Sequence, residues 1–149
     1  DLHRLFEARL VLEEPVARLA AERLDAAALD ELEALSAAIE TSIAERAIYE
    51  AVELDHGLHL AIARGSGNRF LMQAIDRLNC GSLRLWYVAH ERLNDDVRQE
   101  RHRDLVAALR AHDPERAGLE ARRHVLRFHE RQLELLRGAI ASWQPPAAS

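Results

Sequence analysis

Lysine is absent from this sequence, cysteine occurs once as Cys80, and threonine occurs once as Thr41. A single cysteine excludes a disulfide framework and a four-cysteine zinc site within one chain. Aromatic residues make up only 5% of the chain, and β-branched residues are few beside Ala, Leu, Arg and Glu. Strand-favouring types are therefore scarce and helix formers dominate. No apolar run approaches the roughly 20 residues of a membrane span, and no secretory signal pattern is visible, so the expected location is cytoplasmic, with no membrane partner. All 20 basic residues are arginine, alternating with 25 Asp and Glu for a net charge of −5. Without a concentrated basic face, this segment is not expected to contact duplex DNA itself.

A length of 149 residues fits one domain that can bury its core without cross-links. Apolar spacing near 3.6 predicts six helices, at residues 2–23, 26–44, 46–63, 68–90, 95–112 and 114–138. Gly65, Ser66 and Gly67 stop the third helix, and Asn68 caps the fourth. Asn94 or Asp95 can cap the fifth. Asp113 followed by Pro114 combines an N-cap with proline at the first helical position, a strong start for the sixth. The domain is expected over 1–140, with 141–149 a disordered tail. The chain begins at Asp1 inside a helical pattern and without methionine, which reads as a fragment lacking an N-terminal part. Gly65 and Gly67 do not follow a strand, which leaves a nucleotide-binding reading little support.

The informative residues are polar groups on apolar faces. Successive helical residues turn by about 100°. On the third helix Ile48, Ala51, Val52, Leu58 and Ile62 gather on one side, with Asp55 and His59 in their midst. At i and i+4, this carboxylate and imidazole can meet one ion. On the fifth helix His102 lies in the stripe of Leu105, Val106 and Leu109. On the sixth, His124 edges the stripe of Ala117, Ala121, Val125, Phe128 and Leu135. A buried Asp–His hydrogen bond could satisfy Asp55 and His59, but it would not explain His102 and His124 as well. Three neutral imidazoles and one carboxylate suit a divalent transition metal, zinc first, with nickel and manganese the other candidates.

Arg9 projects from the centre of the apolar face of the first helix, with Glu13 one turn on. Either the two form a buried i, i+4 ion pair, or Arg9 aims a guanidinium fork into a cavity to hold a carboxylate. Asn79 and Ser82, beside the stripe of Leu71, Ile75, Leu78, Leu85 and Trp86, either line that cavity or bond locally to backbone. His56 falls on the flank of its helix. His3, His90, His112 and His129 read as surface or boundary residues.

Several ordered pieces resemble the C-terminal effector-binding domain (FCD) of FadR-type regulators in the GntR family. They are Glu7-Ala8-Arg9-Leu10-Val11-Leu12-Glu13, then Leu19-Ala20-Ala21-Glu22-Arg23, then Asp55-His56-Gly57-Leu58-His59 followed by Ala61 to Ala63 and Gly65 to Asn68. Later come Glu100-Arg101-His102, Leu105, Ala108, Leu109, Asp113, Ala117 and His124. The resemblance spans Leu2 to about Arg137. It implies an all-α antiparallel bundle of about six helices enclosing a metal and an effector. The implied ligands are Asp55, His59, His102 and His124, the four already reached by facing. It further implies that Arg9 contacts the carboxylate of a small organic acid, that the protein is a homodimer, and that a winged helix-turn-helix domain absent from this chain binds DNA.

The expected function is thus a ligand-sensing domain of a transcriptional regulator, and not an enzyme. The alternatives are a metal-free structural or adaptor bundle and a metal-dependent enzyme. A di-iron carboxylate enzyme needs two inward Glu-x-x-His motifs. Glu53-Leu54-Asp55-His56 is the sole convincing match, and it faces away from the apolar stripe. A mononuclear hydrolase needs a general base beside the metal, and Glu13 already has Arg9.

Overall fold

Helix-forming composition and short polar breaks produce six helices in the computed structural model, which describes residues 2–93 and 102–142. They are α1 (Leu2–Arg23), α2 (Ala26–Ala44), α3 (Ile48–Gly65), α4 (Arg69–Leu93), α5 (Arg103–Arg110) and α6 (Pro114–Ser142), and no strand occurs among the described residues. The expected all-α bundle is the one found. The cap candidates Asn94 and Asp95, the positions Glu100 and Arg101, and residues 143–149 of the expected tail lie outside the described residues, as does the start expected for the fifth helix.

The breaks follow from local chemistry. Asp25 caps α2 by accepting from Ala28 N at 2.8 Å. Asn68 caps α4 by accepting from Phe70 N at 3.0 Å and Leu71 N at 3.3 Å. Asp113 caps α6 by accepting from Arg116 N at 3.0 Å, directly ahead of Pro114. Gly67 turns the chain between α3 and α4 with φ +67°, a left-handed conformation that glycine adopts without steric cost.

Two boundaries differ from expectation for one shared reason. The third helix begins at Ile48 rather than 46, and the fifth ends at Arg110 rather than 112. Arg46 (φ 59°) and His112 (φ 49°) are left-handed without being glycine. Each closes a Schellman cap. Ala47 N donates to Ser42 O and Arg46 N to Ile43 O, and likewise Asp113 N to Ala108 O and His112 N to Leu109 O. His112 is held there by its Nδ1, 2.7 Å from the carbonyl oxygen of Ala21. The last helix runs on to Ser142, so positions 141 and 142 of the expected tail are helical.

α1 is the central element. It packs most extensively on α6 and also touches α3, α4 and α5, while α2 lies against α3 and α5. Its inner face is made small by Ala17, Ala20 and Ala21, all buried, which lets neighbouring helices approach closely. Leu32, Leu58 and Leu109 are fully enclosed, each worth about 1.5–3 kcal/mol of apolar burial. α5 is tied to α2 by exposed pairs: Arg110 with Glu33 and Asp30, and Arg103 with Glu40. Exposed pairs of this kind add little stability. Pro15 lies inside α1. Having no N–H, it leaves the carbonyl of Val11 without the usual helical donor, and Val11 faces water. This architecture leaves one end of the bundle, between α1, α3, α4 and α6, for the polar groups.

Candidate metal and effector site

Asp55 and His59 sit one turn apart on α3, His102 stands at the N-cap of α5, and His124 projects from α6. His102 therefore immediately precedes the described helix rather than lying within its stripe. Each of the four residues offers one ligand atom, and these atoms all lie within 4.8 Å of one another. His59, His102 and His124 are buried, and the Asp55 side chain is 21% exposed.

Within the cluster, His59 Nε2 and His124 Nε2 are 3.0 Å apart. His102 Nε2 is 3.0 Å from Asp55 Oδ1, and His59 Nε2 is 3.9 Å from Asp55 Oδ2. The His102 contact is close but poorly aligned, so this buried nitrogen has no satisfactory hydrogen bond among the described residues. Burial alone would push the Asp55 carboxyl up. The imidazoles, His102 foremost and then His59 and His124, reverse this and hold it well below the usual carboxylate range. Burial pushes His59 down, against the pull of Asp55 and Glu13. Burial pushes His124 further down, reinforced by His102 and His59. Burial thus favours neutral rings at His59 and His124 while Asp55 stays ionised, the states in which these three groups carry lone pairs for a cation.

α1 supplies the surroundings. Arg9 Nε donates to Glu13 Oε1 at 2.6 Å, with both side chains buried, so the i, i+4 ion pair exists. Arg9 also reaches across to α4, where its Nη1 donates to Ser82 Oγ at 3.2 Å. The guanidinium lies over the rings of Phe6 and Phe128, at 5.5 and 5.4 Å from their centres. Glu13 Oε2 stands 3.5 Å from His59 Nδ1. A carboxylate on that side favours the tautomer protonated at Nδ1, which turns the Nε2 lone pair toward the cluster.

A cavity of about 20 Å³ adjoins the cluster, lined among others by Arg9, Asp55, Asn79, Ser82, His124 and Phe128. Asn79 is buried, and neither its amide nitrogen nor its amide oxygen has a hydrogen-bond partner among the described residues. Ser82 does both things weighed for it, lining the cavity and bonding locally to Leu78 O at 3.2 Å, and it also accepts from Arg9. Sequence reasoning set His56 aside, yet it too lines the cavity and pairs with Asp76 at 3.3 Å. Helical spacing pairs Glu13 with Arg9 alone, and its approach to His59 is a long-range contact that such spacing does not encode. His3 and His112 are exposed. His129 is half-buried and stacks on Phe6 at 4.4 Å. His90 falls outside the residues whose side chains are described.

Residues 4–127 match the family model described as FCD domain. The chain belongs to the FCD domain family. Among solved structures, that of Streptococcus agalactiae GntR resembles this FCD domain with a TM-score of 0.69 at 28% sequence identity. The match covers 87% of this chain and 60% of that one, so this chain spans less than two thirds of the neighbour's length. No curated protein matches the sequence. Its family places the chain with the ligand-sensing domains of transcription regulators rather than with enzymes. None of its helices, among the described residues, is long and apolar enough to cross a membrane.

Proposed function

We propose that this FCD domain senses a small organic acid at a divalent-metal centre held by Asp55, His59, His102 and His124, with Arg9, Asn79 and Ser82 binding the acid. The supporting observation is the convergence of four donor atoms from α3, the start of α5 and α6. Neighbouring ligands on an ion at bond lengths of about 2.0–2.1 Å stand roughly 3–3.5 Å apart, and the two closest donor pairs here are each 3.0 Å apart. A metal-free core explains the arrangement less well. It leaves His102 Nε2 badly bonded, at a cost of about 1–3 kcal/mol for a buried polar group. Three imidazoles and a carboxylate fit zinc best, with nickel or manganese as the alternatives.

A bound ion would supply open positions for an effector carboxylate. The protein's own groups then orient the acid. Arg9 has five N–H groups, and its contacts to Glu13 and Ser82 use two of them. Asn79 offers an amide with no other partner among the described residues. A cavity of about 20 Å³ holds about one water, so an acid of several carbons must shift side chains such as Phe128 to enter. That requirement links occupancy to a rearrangement of the helices, which is what a switch needs. In the whole regulator, a homodimer would pass the change to a winged helix-turn-helix domain that binds the operator.

The test is elemental analysis of the purified domain beside His102→Ala. About one divalent ion per chain more in the native domain than in a variant that keeps its helical circular dichroism is the expected result. Equal metal content in both would overturn the reading. Thermal-shift screening with dicarboxylates, hydroxy acids and sugar acids then identifies the effector class.

A further inference from the structure

A second group of ligand-type side chains lies outside the centre just described. His56 on α3 faces Asp76 and Cys80 on α4, and one donor atom from each lies within 4.8 Å of the others. Asp76 and Cys80 are spaced i, i+4, so a single helix face presents both toward the neighbouring helix. His56 Nε2 is 3.3 Å from Asp76 Oδ1. This contact accounts for two of the three residues but gives no reason for a thiol beside them. Cys80 is exposed and Asp76 is half-exposed, so an ion can enter from solvent without any opening of the bundle.

We propose that His56, Asp76 and Cys80 form a second, surface metal site, taking a borderline-soft divalent cation such as zinc. One imidazole, one carboxylate and one thiolate are the donor types zinc prefers, and three protein ligands leave a position for water. Binding exchanges the thiol proton for the metal–sulfur bond and releases that proton to solvent. The site goes beyond the sensing role argued for Asp55 and its three histidines, with which it shares no residue. Because His56 also lines the cavity beside Arg9, an ion here would fix a ring that borders the effector.

Cobalt(II) distinguishes the two centres, because the Asp55 cluster contains no sulfur and Cys80 is the chain's one cysteine. Titration of the whole chain with cobalt should develop a near-ultraviolet thiolate-to-cobalt charge-transfer band. Its midpoint, expressed as free cobalt, should not change with protein concentration. Cys80→Ser should abolish the band while leaving the visible cobalt absorption of the Asp55 centre intact. His56→Ala and Asp76→Asn should each weaken binding by about tenfold or more, since each removes a ligand and even the loss of a ligand's partner costs that much. The proposal is overturned by the absence of the band in the native chain, by its persistence at unchanged affinity in both His56→Ala and Asp76→Asn, or by a concentration dependence showing that two chains share the ion. Loss of metal from the Asp55 centre in His102→Ala leaves this readout unaffected, so the two readings fail separately.

Discussion

His59 and His124 meet nitrogen to nitrogen, with their Nε2 atoms 3.0 Å apart and both rings buried. At that distance the pair can share one proton, and a second would set two cations against each other in a site that already disfavours charge.

This arrangement dictates how the metal-free domain responds to pH. Burial lowers both imidazoles below their ordinary value, with His102 and His59 adding to the effect at His124. Unfolding restores the ordinary pKa, so the unfolded chain binds more protons once the pH drops below about 6.5. The stability these rings contribute is therefore present above that pH and is lost as the pH falls through it. Asp55 contributes in the same direction but only in the lower, carboxylate range. The melting temperature of chelator-treated domain should be level above about pH 7 and fall steadily below about pH 6.5. His124→Gln should flatten the decline. A level profile down to about pH 5 in the native sequence would contradict this account.

Glu13 tests the environment of the Asp55 cluster without being one of its four donors. Its carboxylate stands beside His59 Nδ1 and also neutralises Arg9. Glu13→Gln keeps the shape and removes the charge. Metal affinity, measured by competition with a chelator, should fall by about 10–100-fold, the usual cost of losing a group that orients a ligand. An affinity unchanged within error would mean that Glu13 serves Arg9 alone.

Asn79 should trade stability for binding. Its buried amide has no partner among the described residues, and such a group costs about 1–3 kcal/mol. Asn79→Leu should raise the melting temperature of the effector-free domain while abolishing the thermal shift caused by whichever organic acid the screen finds. A variant that loses stability and still binds the acid would show that the amide has a structural role.

Gly65→Ala probes the scaffold. A methyl group at the end of α3 would overlap the side chain of Leu24, which is itself buried. Overpacking of this kind costs about 1–3 kcal/mol. Thermal denaturation should show a lower midpoint with metal content unchanged, and a higher midpoint would mean that Leu24 yields freely.

Much of this was legible in the sequence, for identifiable reasons. The 3.6-residue period placed the helices, and Asn68 and Asp113 marked their starts, because capping is local chemistry. Asp55 and His59 stood out because a carboxylate on an apolar face demands explanation. Arg46 and His112 were misread as helical because left-handed caps normally advertise themselves with glycine. His112 instead owes its conformation to a tertiary bond with Ala21 O. The approach of Glu13 to His59 and the grouping of His56 with Asp76 and Cys80 join separate helices, and no single-helix pattern encodes them.

Pro15 gives the first helix two mechanical characters. Arg9 and Glu13, which face the Asp55 cluster, precede it, and Val16, Ala17, Ala20 and Ala21, packed in the apolar core, follow it. The ladder is missing a rung between the two stretches. A bend at that step would break no further backbone hydrogen bond, so the stretch bearing Arg9 and Glu13 can tilt against the alanine-lined half more cheaply than along an unbroken helix.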